Sequence, residues 1–402
     1  MNGYRCITCD ANLEADFAGF QCPDCGGNLD VTYDYHACDT TFKGDDMFRY
    51  APLLPVDRFA APLKVGRTPL YNASRLGPEN LFIKDETGNP SASIKDRATA
   101  VALQRAVDTG ADSIAVASTG NAGSSTACIA AALGLQAFIF VPESAPVAKL
   151  TQALAYGATV LAVRGTYDDA YELCLQASQE FAWYNRSTGF NPFTREGKKT
   201  ASFEIFEQLG RVPDRIVVPT GDGNILSGIW KGWRDLHALG LVDSLPKIDC
   251  AQSASSAAIC RAVQACRRQG SGPDWSAFSI ESVAATTVAD SISVDQPRDG
   301  LAAVRAVVES GGEAVIVTDA EILAAIPELA HATGIFAEPA AAASLAVTRK
   351  MLADGLASPT ETIVCLVTGN GLKDIAGASS VVGQPQIIDP TLDAVKSLAG
   401  FD

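Results

Sequence analysis

The amino-acid sequence predicts an α/β protein with two parallel-sheet α/β domains behind a small cysteine-rich unit. Three observations carry this. From about residue 81 onward, short β-rich runs alternate with amphipathic helical stretches, the pattern of parallel sheets covered by helices. The runs amount to about ten helices and nine strands, more than one sheet holds comfortably. Near the start, four cysteines fall into two CxxC pairs.

The chain has 402 residues, 47% of them apolar, enough for two ordinary cores and a small appendage. A net charge of -15 runs against the basic footprint of a nucleic-acid binder. The opening MNGYRCITCD lacks the apolar core of a signal peptide. The longest apolar stretch, about 128–142, is interrupted by Gly134 and Gln136, and a membrane span needs roughly 20 apolar residues. A cytoplasmic protein with no membrane or nucleic-acid partner is expected. Of the 11 cysteines, those outside the first cluster are scattered, mostly in apolar segments, as reduced core thiols are. The 3 histidines, His36, His237 and His331, lie far apart without metal-ligand spacing and read as structural or surface residues. Lysine or carboxylate chemistry therefore gains ground over a histidine base.

The first element, over 1–35, is Cys6-x2-Cys9-x12-Cys22-x2-Cys25. Two CxxC pairs at this separation suit two knuckles that together give a tetrahedral thiolate site, a structural zinc ribbon. Gly26 and Gly27 follow where a knuckle needs positive φ. Four thiolates close the coordination sphere, which excludes a catalytic metal. Residues 36–62 form a linking arm with Pro52, Pro55 and Pro62 and aromatic anchors at Phe48 and Tyr50. Strands are expected at 81–85, 113–117, 137–141, 159–163, 183–185, 215–219, 247–251, 314–317 and 362–368. Helices are expected to begin near Ser93, Asn121, Pro146, Tyr167, Gly197, Asn224, Ser253, Leu301, Asp319 and Ala340. The catalytic region would cover 63–385, with a smaller domain at about 100–195 inserted in the larger, and 386–402 a C-terminal tail.

Three loops stand at the C-terminal ends of predicted strands, where open α/β sheets place ligands. The first, Asn89-Pro90-Ser91-Ala92-Ser93-Ile94-Lys95-Asp96-Arg97, sets Lys95 at a helix start. The helix dipole there favours the lowered pKa an imine-forming amine needs. The bland alternative is a solvated Lys95 behind a capping Ser93. The second, Ser118-Thr119-Gly120-Asn121-Ala122-Gly123, offers free N–H groups to a carboxylate or phosphate. Its alternative is plain N-capping by Thr119 or Asn121. The third, Pro219-Thr220-Gly221-Asp222-Gly223-Asn224-Ile225, has two close glycines that let backbone wrap a phosphate. Asp222 is expected to turn its carboxylate away and offer its N–H. A ligand-free turn is the alternative.

Taken together, these loops resemble the fold-type II pyridoxal 5'-phosphate (PLP) enzymes, the tryptophan synthase β family, and within it the threonine synthases. Matching stretches occur in order at 6–25, 48–56, 66–70, 89–97, 117–122, 149–158, 196–200, 219–233, 334–344 and 366–374. The resemblance implies a fold-type II PLP enzyme with Lys95 in imine linkage to the cofactor. Asn121 would bond the pyridine O3', and Ser118, Thr119 and Ala122 would lie along the substrate α-carboxylate. Gly221, Asp222, Gly223, Asn224 and Ile225 would hold the cofactor phosphate. Thr368 would face the pyridine nitrogen. A hydroxyl does not hold that nitrogen protonated, so the ring is a weaker electron sink and Lys95 must carry the proton transfers, which suits elimination and replacement. Glu338 matches a glutamate near the ring or else caps the helix after it.

The chain departs from the family at the substrate phosphate. In the stretch Pro142-Glu143-Ser144-Ala145-Pro146-Val147-Ala148-Lys149, no lysine stands at the point where a Pro-Ala-Gly-Lys segment supplies one. Two residues after Asn191-Pro192 comes Thr194 in place of the family's arginine, and Arg195 is the expected substitute. The segment 289–300 also differs, and Arg186, Lys198 and Arg298 are further cationic candidates. Threonine synthase acting on O-phosphohomoserine is the first expectation. A dehydratase-like β-elimination or β-replacement on a related amino acid is the second. The third, of another class, is a non-catalytic zinc-containing interaction protein. A homodimer is the base-rate expectation.

Overall fold

The computed structural model describes residues 1–268 and 273–399; residues 400–402 of the expected tail lie outside the described residues. The chain opens on three short strands, β1 (Gly3–Cys6), β2 (Asn12–Glu14) and β3 (Leu29–Thr32), paired antiparallel in the order β2-β1-β3. Two turns between them carry the CxxC pairs. The arm that follows is anchored by aromatics: Phe48 stacks on Phe59, and buried Tyr50 packs edge-on against Phe203.

The next elements are β4 (Leu70–Asn72), β5 (Leu81–Asp85) and α1 (Lys95–Asp108). A four-stranded parallel sheet then forms from β6 (Ser113–Ala117), α2 (Asn121–Leu133), β7 (Gln136–Pro142), α3 (Val147–Ala155), β8 (Thr159–Val163), α4 (Tyr167–Glu180) and β9 (Tyr184–Asn185), in the order β8-β7-β6-β9. After α5 (Phe193–Leu209) come β10 (Arg215–Pro219), α6 (Asn224–Ala238), β11 (Lys247–Ser253) and α7 (Ala258–Arg268). The chain continues through α8 (Gly300–Ser310), β12 (Ala314–Val317), α9 (Asp319–Thr333), α10 (Pro339–Ala353) and β13 (Ile363–Val367). It ends with α11 (Ile375–Ser379) and α12 (Leu392–Ala399). The second sheet has six strands in the order β12-β11-β10-β13-β5-β4, all parallel except the edge strand β4. The four-stranded sheet is thus drawn from chain lying between β5 and β10.

Parallel strands covered on both faces must be apolar on both. On β10, Ile216 and Val218 enter one core and Val217 another. On β6, Ile114 and Val116 face one core while Ala115 and Ala117 face a second. Two helix starts differ from expectation. The α5 helix begins at Phe193 and not near Gly197, because Asn191 Oδ1 accepts from Phe193 N at 3.0 Å and opens the helix earlier. The α7 helix begins at Ala258 because β11 runs on to Ser253, whose Oγ donates to Asp319 at 2.7 Å.

α1 crosses α5 closely. A Cβ at Gly197 would collide with the Arg97 carbonyl. Beside this crossing, Lys84, Glu86, Arg97 and Glu204 form a buried charge cluster. Arg97 pairs with Glu86 at 2.6 Å and with Glu204 at 2.7 Å, and Lys84 pairs with Glu204 at 2.7 Å. The cluster fixes the first turn of α1, two residues from Lys95. No helix among the described residues is long and apolar enough to cross a membrane.

Candidate active site

The loops after β5, β13 and β10 are neighbours because these strands are neighbours in the sheet. Backbone bonds stitch the loop after β13 to the loop after β5 and to the start of α10: Ile94 N donates to Thr368 O at 2.9 Å, Asn370 N to Ala92 O at 3.1 Å, and Glu338 N to Gly369 O at 3.0 Å. Ala92 holds φ +66, a left-handed conformation unusual for a residue with a side chain. The result is a pocket lined by Lys95, Asn121, the loop 219–226, Glu338 and Thr368. It shares Lys95, Asn121 and Asp222 with a cleft of about 520 Å³ that Ser118, Thr119, Ala122 and Arg298 also line.

Lys95 is the first residue of α1 and is partly accessible from the cleft. Among the described residues no carboxylate pairs with its Nζ. Burial, then the nearby Arg186, push its pKa down to about 8. Ser93 is not the helix cap. Ile94 occupies that position, and Ser93 Oγ only receives a long 3.4 Å bond from Lys95 N.

α2 and α6 both begin without a side-chain cap, behind Gly120 and Gly223. Capping by Thr119 or Asn121 is therefore not what the second loop does. Among the described residues, nothing accepts from the backbone N–H groups of residues 221–225, nor from those of Thr119, Asn121 and Ala122. Buried N–H groups at a helix start without acceptors form a cradle for an anion. Gly223 needs its φ of +97, and a Cβ there would lie 2.7 Å from Asp299 O. The Asp222 carboxylate leans on the loop behind it: Oδ1 accepts from Arg298 N at 2.7 Å. Its Oδ2 is buried without a partner among the described residues. Burial, then Asp299, raise Asp222 to about 6.

Glu338 stands at the N-cap position of α10, but its side chain does not cap the helix. It is buried, and its two carboxylate oxygens accept from Asn121 Nδ2 at 2.9 and 3.0 Å. It thereby sets where the Asn121 amide points. Burial raises its pKa.

The four cationic candidates separate. Arg195 is a correction: it does not face the cleft. Its guanidinium pairs with Asp30 at 2.6 Å and Asp299 at 2.5 Å and is buried under the cysteine ribbon. Thr194, whose position it was expected to replace, donates to Asn224 Oδ1 at 3.3 Å, while Arg195 reaches Ser227 and the ribbon. Arg186 and Lys198 are wholly buried behind the pocket, on Thr99 and Thr188, and on Asn224 respectively. Burial and then Lys95 drive Lys198 well below the usual lysine range. Arg298 does line the cleft, with its guanidinium 4.8 Å from the Tyr171 ring and 3.3 Å from Asp168. His36, His237 and His331 are all exposed, away from the pocket.

Residues 61–369 match the family described as pyridoxal-phosphate dependent enzyme. Along 98% of both chains, the protein is 38% identical to a threonine synthase of Methanosarcina acetivorans. It is 36% identical, again over 98% of both, to a threonine synthase of Methanocaldococcus jannaschii. The chain belongs to the threonine synthase family of pyridoxal-phosphate-dependent enzymes. Solved structures extend the fold relationship. Maize serine racemase superposes with TM-score 0.64 at 21% identity, covering 76% of this chain and 88% of that one. A Solanum lycopersicum threonine deaminase gives 0.65 at 20%, covering 86% and 95%. The mixed α/β sheets are thus those of fold-type II PLP enzymes, and the protein is a PLP-dependent lyase.

The pocket fits the family's cofactor. An unpartnered amine stands beside a helix-start cradle of free N–H groups, as an aldehyde and a phosphate on one molecule require. At the ribbon, the Sγ atoms of Cys6, Cys9, Cys22 and Cys25 lie within 4.8 Å of one another. The closest approaches are 3.4, 3.5 and 3.7 Å. These exceed a disulfide's ~2.05 Å and approach the ~3.8 Å edge of a tetrahedron with ~2.3 Å metal–sulfur bonds.

Sequence reasoning missed Asp299, which bonds the phosphate-type loop from below: its Oδ2 accepts from Asn224 Nδ2 at 2.8 Å and Ser227 Oγ at 2.7 Å. It was visible only as one residue of the divergent segment 289–300.

Proposed function

We propose that this chain is a threonine synthase, converting O-phosphohomoserine and water to threonine and phosphate. The observation that carries the reading is its relatedness to threonine synthases along 98% of the chain, with an unpaired Lys95 on the floor of the cleft. Lys95 carries the cofactor, and the N–H groups of residues 221–225 hold its phosphate. Asn121, aimed by Glu338, bonds the ring O3', and Thr368 faces the ring nitrogen. PLP, when bound, supplies the electron sink that acidifies the substrate Cα–H. The chain does the rest. Ser118, Thr119 and Ala122 seat the α-carboxylate against the free N–H groups of α2. Lys95 Nζ, near pKa 8, takes the Cα proton and relays protons while phosphate leaves Cγ and water adds at Cβ. Holoenzyme given O-phosphohomoserine should release threonine and inorganic phosphate in equal amounts; phosphate release absent from pure holoenzyme overturns the reading.

Arg298 is the cleft-lining cation for the substrate phosphate. Its exposed partner Asp168 gives it up at little cost, since surface pairs contribute about 0–1 kcal/mol. Arg298→Ala should raise KM for O-phosphohomoserine by roughly 10–100-fold, the scale of ~1.5–3 kcal/mol for hydrogen bonds to a charged group. Its kcat should change far less, as steady-state kinetics would read.

A second reading is favoured by the burial of Arg195 in ion pairs: a dehydratase-like β-elimination that needs no second phosphate site. Keto acid formed from threonine or serine at rates above phosphate release from O-phosphohomoserine would select it.

The amine of Lys95 must be neutral to take up PLP. Reconstitution of apoenzyme should therefore accelerate as pH rises through about 8 and level off above it, as stopped-flow absorbance would follow. A profile rising only toward 10.5 would mean an unperturbed lysine.

Residues 1–35 form a structural zinc ribbon through Cys6, Cys9, Cys22 and Cys25, ahead of a 36–62 arm and a 63–385 catalytic region. The working form is a cytoplasmic homodimer.

A further inference from the structure

The ribbon does more than sit on the surface. Asn28, three residues after Cys25, donates its Nδ2 to Arg298 O at 2.8 Å and to Asp299 Oδ1 at 3.0 Å. Asp30, on β3, accepts from Arg195 Nη1 at 2.6 Å, and Arg195 Nη2 reaches the same Asp299 Oδ1 at 2.5 Å. The other oxygen of Asp299 holds Asn224 and Ser227, the first turn of α6. Its N–H donates to Asp222 O at 3.0 Å, and Arg298 N donates to the Asp222 carboxylate at 2.7 Å. The floor of the loop 221–225 is thus the dipeptide Arg298-Asp299, and the ribbon grips that dipeptide from its far side.

Charge makes the grip necessary. Asp299 is a buried carboxylate directly beneath a cradle suited to a phosphate. Unneutralised, it would repel a dianion; with Arg195 between Asp299 and Asp30, and Arg234 on Asp30 at 2.8 Å, the four charges sum to zero. Arg195 is in turn oriented by Asp30 and by Leu29 O at 3.1 Å, both on β3.

We infer that Asn28 and Asp30 of the ribbon are positioning residues for the cofactor-phosphate loop, acting through Arg195 and Asp299, so that an intact ribbon sets the affinity for PLP. The inference rests on the assignment of loop 221–225 to the cofactor phosphate. It gives the ribbon a role in cofactor retention in addition to any part in folding. Other contacts keep the ribbon docked when these are cut: Tyr33 Oη donates to Glu196 at 2.5 Å, Tyr35 Oη to Asp235 at 2.8 Å, and Arg305 to Ile7 O at 2.7 Å.

The test is titration of apoenzyme with PLP and, separately, with pyridoxal, which lacks the phosphate, followed by absorbance and tryptophan fluorescence. Asn28→Ala removes a partly exposed side chain; Asp30→Asn keeps the shape of the other but takes one carboxylate from the buried Arg195, so its apoprotein should melt lower, and thermal melting measures by how much. Each variant should bind PLP about tenfold more weakly than the parent, ~1.4 kcal/mol, with pyridoxal affinity unchanged. The ratio of the two affinities is the readout a general loss of stability would not move. Equal PLP affinity in parent and variants overturns the inference while leaving the function intact. Equal loss for PLP and pyridoxal also overturns it. A parent that binds PLP no better than pyridoxal overturns the assignment of the loop itself, and the inference with it.

Discussion

Lys95→Ala is expected to lower kcat by ~10³-fold or more, with the fold unharmed. Two features of the site separate the loss of chemistry from a loss of structure. Lys95 makes no ion pair among the described residues, and alanine is the best helix former at its position in α1. Its amine is also held below its ordinary pKa, by burial first and Arg186 second. A lysine with a depressed folded pKa costs stability below that pKa, because the unfolded chain binds the proton more tightly, and the cost fades as pH rises toward the unfolded value. Below pH 8 the variant apoprotein should therefore melt at or above the parent temperature. Steady-state kinetics and calorimetry together check this. A variant that melts much lower would make Lys95 a structural residue.

The second large effect is on stability. Glu204→Gln should cost about 3–5 kcal/mol of folding free energy, the scale of removing one partner from a buried ion pair. Lys84 and Arg97 would each lose a carboxylate oxygen 2.7 Å away, at side chains that are fully buried. Burial pushes the Glu204 carboxyl up, but Arg97 and Lys84 outweigh it and hold it at about 2. A folded pKa below the unfolded ~4.3 means that its contribution is present above that value and is lost as pH falls toward 2. Denaturant titrations at pH 7 and pH 3 should show the parent losing part of the difference at low pH, while Glu204→Gln, lacking the titrating group, loses less. Because Arg97 lies two residues from Lys95, partial variants of this cluster should also weaken cofactor retention.

Much of this was legible in the chain. Strands 81–85, 113–117, 159–163, 215–219 and 314–317 were found at their observed bounds, because apolar runs between turn residues have few alternative readings in a parallel sheet. The three loops were legible because glycines and small hydroxyls after a strand leave helix N–H groups free. The antiparallel edge strand Leu70–Asn72 was not, since three residues with one partner carry no period. Arg195 was misplaced for a rotational reason. One residue along a helix turns a side chain by about 100°, and at position 195 that direction leads to Asp30 of the ribbon. Asp299 and Asn28 could not be linked at all: 271 residues separate them, and only the folded chain brings them to 3.0 Å. Glu338 suits either of two roles in sequence; in the fold its side chain makes no capping bond and rests on Asn121.

The central claim, that Lys95 holds the cofactor at the junction of these loops, is tested most directly by borohydride reduction of the holoenzyme, which makes a cofactor–lysine linkage permanent. Proteolysis and mass spectrometry should then find the phosphopyridoxyl group on the peptide containing Lys95, at about one per chain. The group on Lys198, Lys373 or another lysine, or no modified peptide from a PLP-saturated protein, would contradict the account.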